Sequence, residues 1–433
     1  MLKDLLVIET ASVLAGPAVG MFFAELGARV VKVENPKVSG DVTRKWKLPT
    51  EDPGSNVSAY FSSVNFGKEH LFLDLTDEAA RAEFDALVAK ADVLISNHMA
   101  ADAEKLGLTR DRLSALNPKL IQGHIRGYAD DAARPAYDVV LQAGTGYISM
   151  TGTDAEHPAK LPVAMIDILA AHQLKEGILL ALLNRTNSGK GAFVEVTLEE
   201  AALTGLVNQA SNWLMAGHVA QPIGTLHPNI APYGEVFTCS DRKRIVLAVG
   251  SNAQFRKLCE ALELPAVKND ADFAENNSRV VNRARLAELL APAIATFPRE
   301  PLLEKLQTRG VPAGAVNSID AALSSPSAKR MTREEMLDGI RTLRISGNAF
   351  RSEYFKGRGG AENTDRWAWV GSLESGVLRL LVGTQDSRLI VSRLSLRLPL
   401  PLQFRSEQLD HLARFLLRKA AAEGHLLLVV FKA

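Results

Sequence analysis

The chain has 433 residues, with 50 Lys and Arg against 49 Asp and Glu for a formal net charge of +1, and 47% of it is apolar. That balance excludes the broad basic field that nucleic acid or an anionic membrane surface requires, so an anionic ligand must be held by a local site. The length exceeds what one core usually supports, which predicts two domains.

The amino-terminal segment "LLVIET" predicts a strand. Asp4 and Glu9 interrupt its apolar character, so it does not read as a signal peptide. "GPAVGMFFAELGA" has helical spacing and ends at Gly27, and "RVVKVE" is a second strand, giving a strand, helix, parallel strand unit. The alternation continues through "HLFLDL" (70–75), the amphipathic 77–91, "DVLISN" (92–97) and "LIQGHIRGY" (120–128). The expected class is therefore α/β, a doubly wound, Rossmann-like parallel sheet. In such sheets ligands bind beyond the carboxyl ends of the strands, which here carry Glu34, Asp74, Asn97 and Gly127.

"DILAAHQLKEGILLALL" repeats apolar residues at three- and four-residue spacing and predicts a long helix opened by Asp167 at its cap position. A further strand and helix follow. The Pro- and Gly-rich "HVAQPIGTLHPNIAPYGEV" then reads as a crossing loop and marks a domain boundary. The expected organisation is a large domain over 1–220, a smaller α+β domain over 221–325, a return linker over 326–352 and a tail over 353–433. In the tail, "RLIVSRLSLRLPLPLQF" has an edge-strand pattern, and an amphipathic helix capped by Ser406 is expected. The apolar run at 426–431 is far short of the ~20 residues a membrane helix needs. Cys239 and Cys259 fit no CxxC pair or metal cluster and are expected to be reduced core thiols, as in a cytoplasmic protein.

A nicotinamide-binding sheet is one reading of "AGPAVG" followed by Glu34. The glycines Gly16 and Gly20 do not have the GxGxxG spacing, however, and Pro17 offers no backbone N–H to a phosphate. An acid at Asp167 has two ordinary roles, helix cap or nucleophile, and its neighbourhood in sequence supplies no paired base.

"VLAGPAVGMFFAELGARVVKVENP", "GDVTRKW", "YFSSVNFGKEHLFLDL", "ADVLISN", "YDVVLQAGTGYISMTG", the Asp167 segment and "HPNIAPYGEVF" occur together over about residues 1–350. In this order they resemble the family III CoA-transferases. The resemblance implies an acyl-CoA:carboxylate CoA-transferase in which Asp167 is the nucleophile, ionised and favoured by the positive end of its helix. It also implies an interlocked homodimer, coenzyme A thioester and a small carboxylic acid as substrates, and no metal or permanently bound cofactor. Tyr137 stands where the family's racemase branch has a proton-shuttling His, and it can donate to an oxyanion. Backbone N–H groups of "AGTG", or of the loop at His227 and Pro228, are alternative oxyanion donors. The CoA contacts carried over are Val13, Leu73, Asn97 and Lys105, with Arg44, and with Arg134 in place of a lysine that is Pro135 here. Outside the resemblance, Asn97 would be a helix cap, Lys105 a solvated residue and Tyr137 a core aromatic. Leu14 and Asn35 depart from the formyl-CoA branch, and "HPNIAPYG" is closer to the branch handling small dicarboxylic acids. A 2-methylacyl-CoA racemase and a non-catalytic CoA-binding protein are the rival readings. Nothing after about Phe350 matches the family's closing segment.

Overall fold

The structure, a computed structural model, describes residues 2–131 and 133–350 in full and, beyond them, the backbone of three strands. Residues 1–358 form one compact unit and 359–433 another. In the first, six strands form a fully parallel sheet: β1 (Leu6–Glu9), β2 (Arg29–Glu34), β3 (Glu69–Phe72), β4 (Val93–Ser96), β5 (Ile121–Arg126) and β6 (Ala192–Thr197). Their order is β3-β2-β1-β4-β5-β6, so the chain reverses direction of travel between β1 and β4. That reversal opens a crevice at the carboxyl ends of these two strands, because the connections leave them toward opposite faces.

Period-two side chains explain why both faces are dry. On β4, Val93 and Ile95 enter the core beneath the helices Ala15–Glu25 and Met165–Ser188, while Leu94 joins the core beneath the helix Glu78–Val88. β5 behaves differently. Ile121 and Ile125 face the long helix, and Gly123 lets it approach, since a Cβ there would lie 2.8 Å from Ile178. The alternate residues Gln122, His124 and Arg126 point the other way and line a cavity. Gly16 and Gly20 are likewise packing residues, because a Cβ on Gly20 would fall 1.8 Å from Glu9 Oε2 and one on Gly16 2.3 Å from Ala11 Cβ.

β7 (Tyr233–Thr238), β8 (Arg244–Ala248) and β9 (Ala313–Ala315) form a small antiparallel sheet, and side chains between Phe237 and Val311 make an apolar core separate from that of the large sheet. Both cysteines are buried and free, and burial pushes the Cys259 thiol up to about 11. The stretch expected as a return linker is a short helix, Pro326–Met331, and a hairpin of β10 (Thr332–Leu337) and β11 (Ile340–Ile345). Its two-residue turn, Asp338–Gly339, has positive φ at both positions, as the mirror-image hairpin turns require. The hairpin docks on segments that flank the sheet, namely the turn carrying Arg44, the loop before β3 and the end of the helix Ala15–Glu25: Asp338 pairs with Arg44 at 3.1 Å, Glu335 accepts from Gly67 N–H at 2.9 Å, and Arg344 pairs with Glu25.

In the second unit, β12 (Ala368–Glu374), β13 (Val377–Gly383) and β14 (Leu394–Arg397) form an antiparallel sheet. The helix expected from Ser406 lies outside the described residues. Among the described residues no helix is long and apolar enough to cross a membrane.

Candidate active site

The turn after β1, residues 11–13, is gripped by side chains at every step. Lys32 Nζ donates to the Ala11 carbonyl at 2.7 Å, Asn97 accepts from Ser12 N–H at 3.1 Å and donates to its carbonyl at 2.9 Å, and Asp41 accepts from Val13 N–H at 3.2 Å. Val13 has φ of 74°, a left-handed conformation costly for a β-branched residue, which such a grip can hold. Beneath the turn lies a buried charge network. Lys32 contacts Glu9 at 2.9 Å and Asp41 at 3.1 Å, and Lys68 contacts Glu9 at 2.8 Å. Burial opposes the charge on Lys32, but Glu9 and Asp41 outweigh it and raise its pKa. For Lys68 burial prevails over Glu9, leaving it at about 8.

Two cavities open at this rim. The first, about 280 Å³, has apolar walls including Val33, Val38, Leu73, Leu75 and Leu106. The second, about 530 Å³, runs past Val13 and Asn97 to Arg134, Tyr137 and Asp167.

Asp167 is not the cap of its helix. The helix begins at Met165, with Ala164 at the cap position making no side-chain bond, so Asp167 is the third residue inside. The capping acid is Asp138, whose carboxylate accepts from Ile166 N–H at 2.7 Å and from Gln142 at 2.5 Å. Asp167 is 8% exposed, and no hydrogen bond to its carboxyl is found among the described residues. Burial first, then repulsion from Asp138, raise its pKa to about 7. The expected stabilisation of the anion by the helix end is therefore overridden: desolvation of a carboxylate exceeds a dipole contribution of ~1 kcal/mol. Tyr60 stands in the same field. Burial together with Asp167, Asp138 and Asp41 pushes its hydroxyl up to about 12.

The other expected site residues are distributed unevenly. Tyr137 is 55% exposed on the cavity wall and is no core aromatic. Arg134 lines the same cavity with its guanidinium over the Tyr128 ring at 3.9 Å. Val13 and Asn97 line it too, and Asn97 clamps Ser12 instead of capping the following helix, Ala100–Leu106, whose cap position is Met99. Leu73 is in the first cavity. Lys105 is exposed in the last turn of that helix and lines neither cavity.

Arg44 is removed from the site. It is 1% exposed and bonds Glu34 at 2.6 and 2.7 Å, the Asn56 carbonyl at 3.1 Å and Asp338, with Phe61 beneath it at 3.8 Å. Its Nη2 also meets His70 Nδ1 at 3.2 Å, so the N–H groups of this guanidinium are engaged by the protein itself. Burial would raise the Glu34 carboxyl, but Arg44 and His70 hold it well below the usual carboxylate range. His227 is half-buried against Tyr233 and lines neither cavity.

Sequence reasoning assigned no role to Asp138, Tyr60, Ser12 or His98. Asp138 was visible only as an acid beside Tyr137. Ser12 and His98 carry no motif of their own and meet only because β1 and β4 are neighbours.

A doubly wound sheet with a buried carboxylate, unpaired among the described residues, at a cavity by its switch point has the layout of an α/β enzyme site. The profile of CoA-transferase family III matches residues 2–359, and the chain belongs to that family. It is 36% identical over 337 residues to the succinate–glutarate CoA-transferase of Agrobacterium fabrum, covering 76% of this chain and 83% of that one. It is 34% identical to the acetyl-CoA:oxalate CoA-transferase of Acetobacter aceti, covering 74% and 82%. Among solved structures, a CaiB/BaiF family protein from Brucella suis superposes with a TM-score of 0.71 at 35% identity, covering 81% of this chain and 92% of that one.

Proposed function

We propose that the protein transfers coenzyme A between small dicarboxylic acids, with Asp167 as the covalent nucleophile. The observation that carries this reading is a single buried carboxylate, free of hydrogen-bond partners among the described residues, on the wall of the 530 Å³ cavity of a family III CoA-transferase. The dicarboxylic substrate class is supported by relatives named for succinate, glutarate and oxalate.

In the proposed course an acyl-CoA enters and the Asp167 carboxylate attacks the thioester carbonyl. The C–S bond breaks, leaving coenzyme A thiolate and a mixed aspartyl anhydride. The thiolate then attacks the aspartyl carbonyl, releasing the first acid and forming an aspartyl thioester. The acceptor carboxylate displaces the thiolate to give a second anhydride, and thiolate attack on its acyl carbonyl yields the new acyl-CoA and free Asp167. The field of Asp138 raises the energy of the Asp167 anion, which favours its conversion to an uncharged acyl derivative. Tyr137, exposed on the same wall, is the proposed donor to the thioester oxyanion. The apolar first cavity, with Leu73, suits the adenine, and Arg134 is a proposed phosphate contact.

The working form is proposed to be a homodimer in the cytoplasm. Exposed apolar residues on the helices Met165–Ser188 and Asn208–Ala216, among them Leu180, Leu183, Trp213, Leu214 and Met215, support a large partner surface. Incubating the protein with succinyl-CoA and labelled glutarate tests the activity, and hydroxylamine added during turnover tests the intermediate. Label in glutaryl-CoA together with a hydroxamate mapped to Asp167 is the expected result. Exchange without modification of Asp167 would remove the covalent step.

A further inference from the structure

Ile125, Val194 and Val196 face the core under the long helix, so their neighbours His124, Arg126 and Glu195 occupy the opposite face of β5 and β6 and line the larger cavity. Three arginines line that cavity among the described residues: Arg110, Arg126 and Arg134. Arg110 and Arg134 are exposed, whereas the Arg126 side chain is 27% exposed. Its Nη2 donates to the Ala129 carbonyl at 2.9 Å and meets Glu195 at 3.0 Å, which fixes the guanidinium in place. Its Nε is buried without a hydrogen-bond partner, and among the described residues no acceptor meets Nη1. The chain also brings Arg126 near the reacting groups. It is the last residue of β5, and the next, Gly127, lies so close to Ala136 that a Cβ there would fall 2.4 Å from the Ala136 Cβ. Tyr137 and Asp138 follow directly, and Asp138 caps the helix of Asp167. Burial, and then Arg126, push the neighbouring His124 ring down to about 4, so Arg126 supplies the positive charge of this wall.

We propose that Arg126 holds the second carboxylate of the dicarboxylic acid while Asp167 reacts with the first. The inference rests on the CoA-transferase reading above and adds to it the residue that selects the acid. An acid joined to the protein at one end still carries an ionised group at the other, and taking that charge out of water is costly unless it is paired and hydrogen-bonded. A fixed, half-buried guanidinium with unused N–H groups meets this need through charge-assisted hydrogen bonds. Glu195 competes for the same charge, but it engages Nη2 and leaves Nη1 to the substrate. A monocarboxylic acid cannot use these donors, and a site built to bind a group discriminates against analogues that lack it.

The test compares two acceptors of similar shape, glutarate and its monomethyl ester, at saturating succinyl-CoA. In an exchange that passes through an enzyme-bound thioester, kcat/KM for the acceptor reports the acceptor's half-reaction, so altered binding of the donor does not enter. The readout is the ratio of the two kcat/KM values. The native protein is expected to favour glutarate by about thirtyfold or more, and Arg126→Gln to bring the ratio to within about threefold of one. Glu195→Gln removes the competing carboxylate and is expected to raise the ratio about threefold. An Arg126→Gln protein that keeps the native ratio overturns the proposal, as does a native protein that serves both acids equally. Should Arg126→Gln not fold, a Glu195→Gln ratio at or below the native value overturns it. A native protein that transfers CoA to neither acid instead rejects the dicarboxylate CoA-transferase reading itself.

Discussion

The acids of β1, β2 and the helix between them and the acid of the long helix are buried to similar depth, yet they sit in opposite electrostatic surroundings. Glu9 is met by Lys32 and Lys68, Glu34 by Arg44 and His70, and Glu25 by Arg344. Among the described residues Asp167 meets no cation and has Asp138 as its electrostatic neighbour. Burial alone therefore does not mark a functional carboxylate. A compensated acid ties elements together, as Glu25 ties the hairpin β10–β11 to the helix Ala15–Glu25 and Glu34, through Arg44, ties it to β2. An uncompensated acid carries an electrostatic cost when ionised, which protonation, a ligand or a covalent derivative relieves.

Substitutions that exchange these surroundings should have effects of different kinds. Asp167→Asn should lower CoA exchange by roughly 10⁴-fold or more, because an amide cannot form the anhydride. The same variant should gain stability at alkaline pH. The native group has a folded pKa of about 7, raised above its unfolded value, so its contribution is full below the unfolded pKa and is lost as pH rises through 7. Urea unfolding is expected to show the Asn variant more stable at pH 8, by up to roughly 2–4 kcal/mol, and little different at pH 4. A loss of stability at pH 8 would place Asp167 among the compensated acids.

Glu34→Gln should do the reverse, costing roughly 3–5 kcal/mol in urea unfolding because Arg44 keeps only part of its compensation in a buried position. The native Glu34 pKa is depressed, so its stabilisation is present above the ordinary glutamate value and falls away as the pH drops below it. The stability gap between the native protein and the Gln variant should accordingly narrow as the pH falls below the ordinary glutamate value.

Tyr137→Phe should reduce kcat about tenfold with little change in stability, since the side chain is exposed and only a hydrogen bond to the reacting carbonyl is removed. An unchanged kcat would remove Tyr137 from the site. The smallest expected effect is that of Asp138→Asn. The amide still accepts from Ile166 N–H, but without its charge the Asp167 pKa falls, and the rise of kcat/KM with pH should move to lower pH. A profile that stays in place would show that burial alone sets the Asp167 pKa.

The sequence by itself determined the parallel sheet and the long helix, because periodicity and alternation of apolar residues are local properties of the chain, but it put Asp167 at the cap and not inside the first turn. The family was likewise legible, through motifs from "VLAGPAVG" to "HPNIAPYG" standing in a characteristic order. A local signal also existed for the hairpin β10–β11, in Asp338–Gly339 between alternating residues, although the stretch reads first as a linker. The tertiary structure alone decided which charges compensate one another. Arg44 looks like a phosphate ligand in sequence until Glu34, ten residues away, and Asp338, nearly three hundred residues away, consume its donors. Asp138 becomes the cap of a helix 28 residues further on, and so displaces Asp167 from that role. Ser12 and His98 reach the walls of both cavities through the pairing of β1 with β4. Electrostatic energy depends on distance and on exclusion of water, and neither is set by position along the chain.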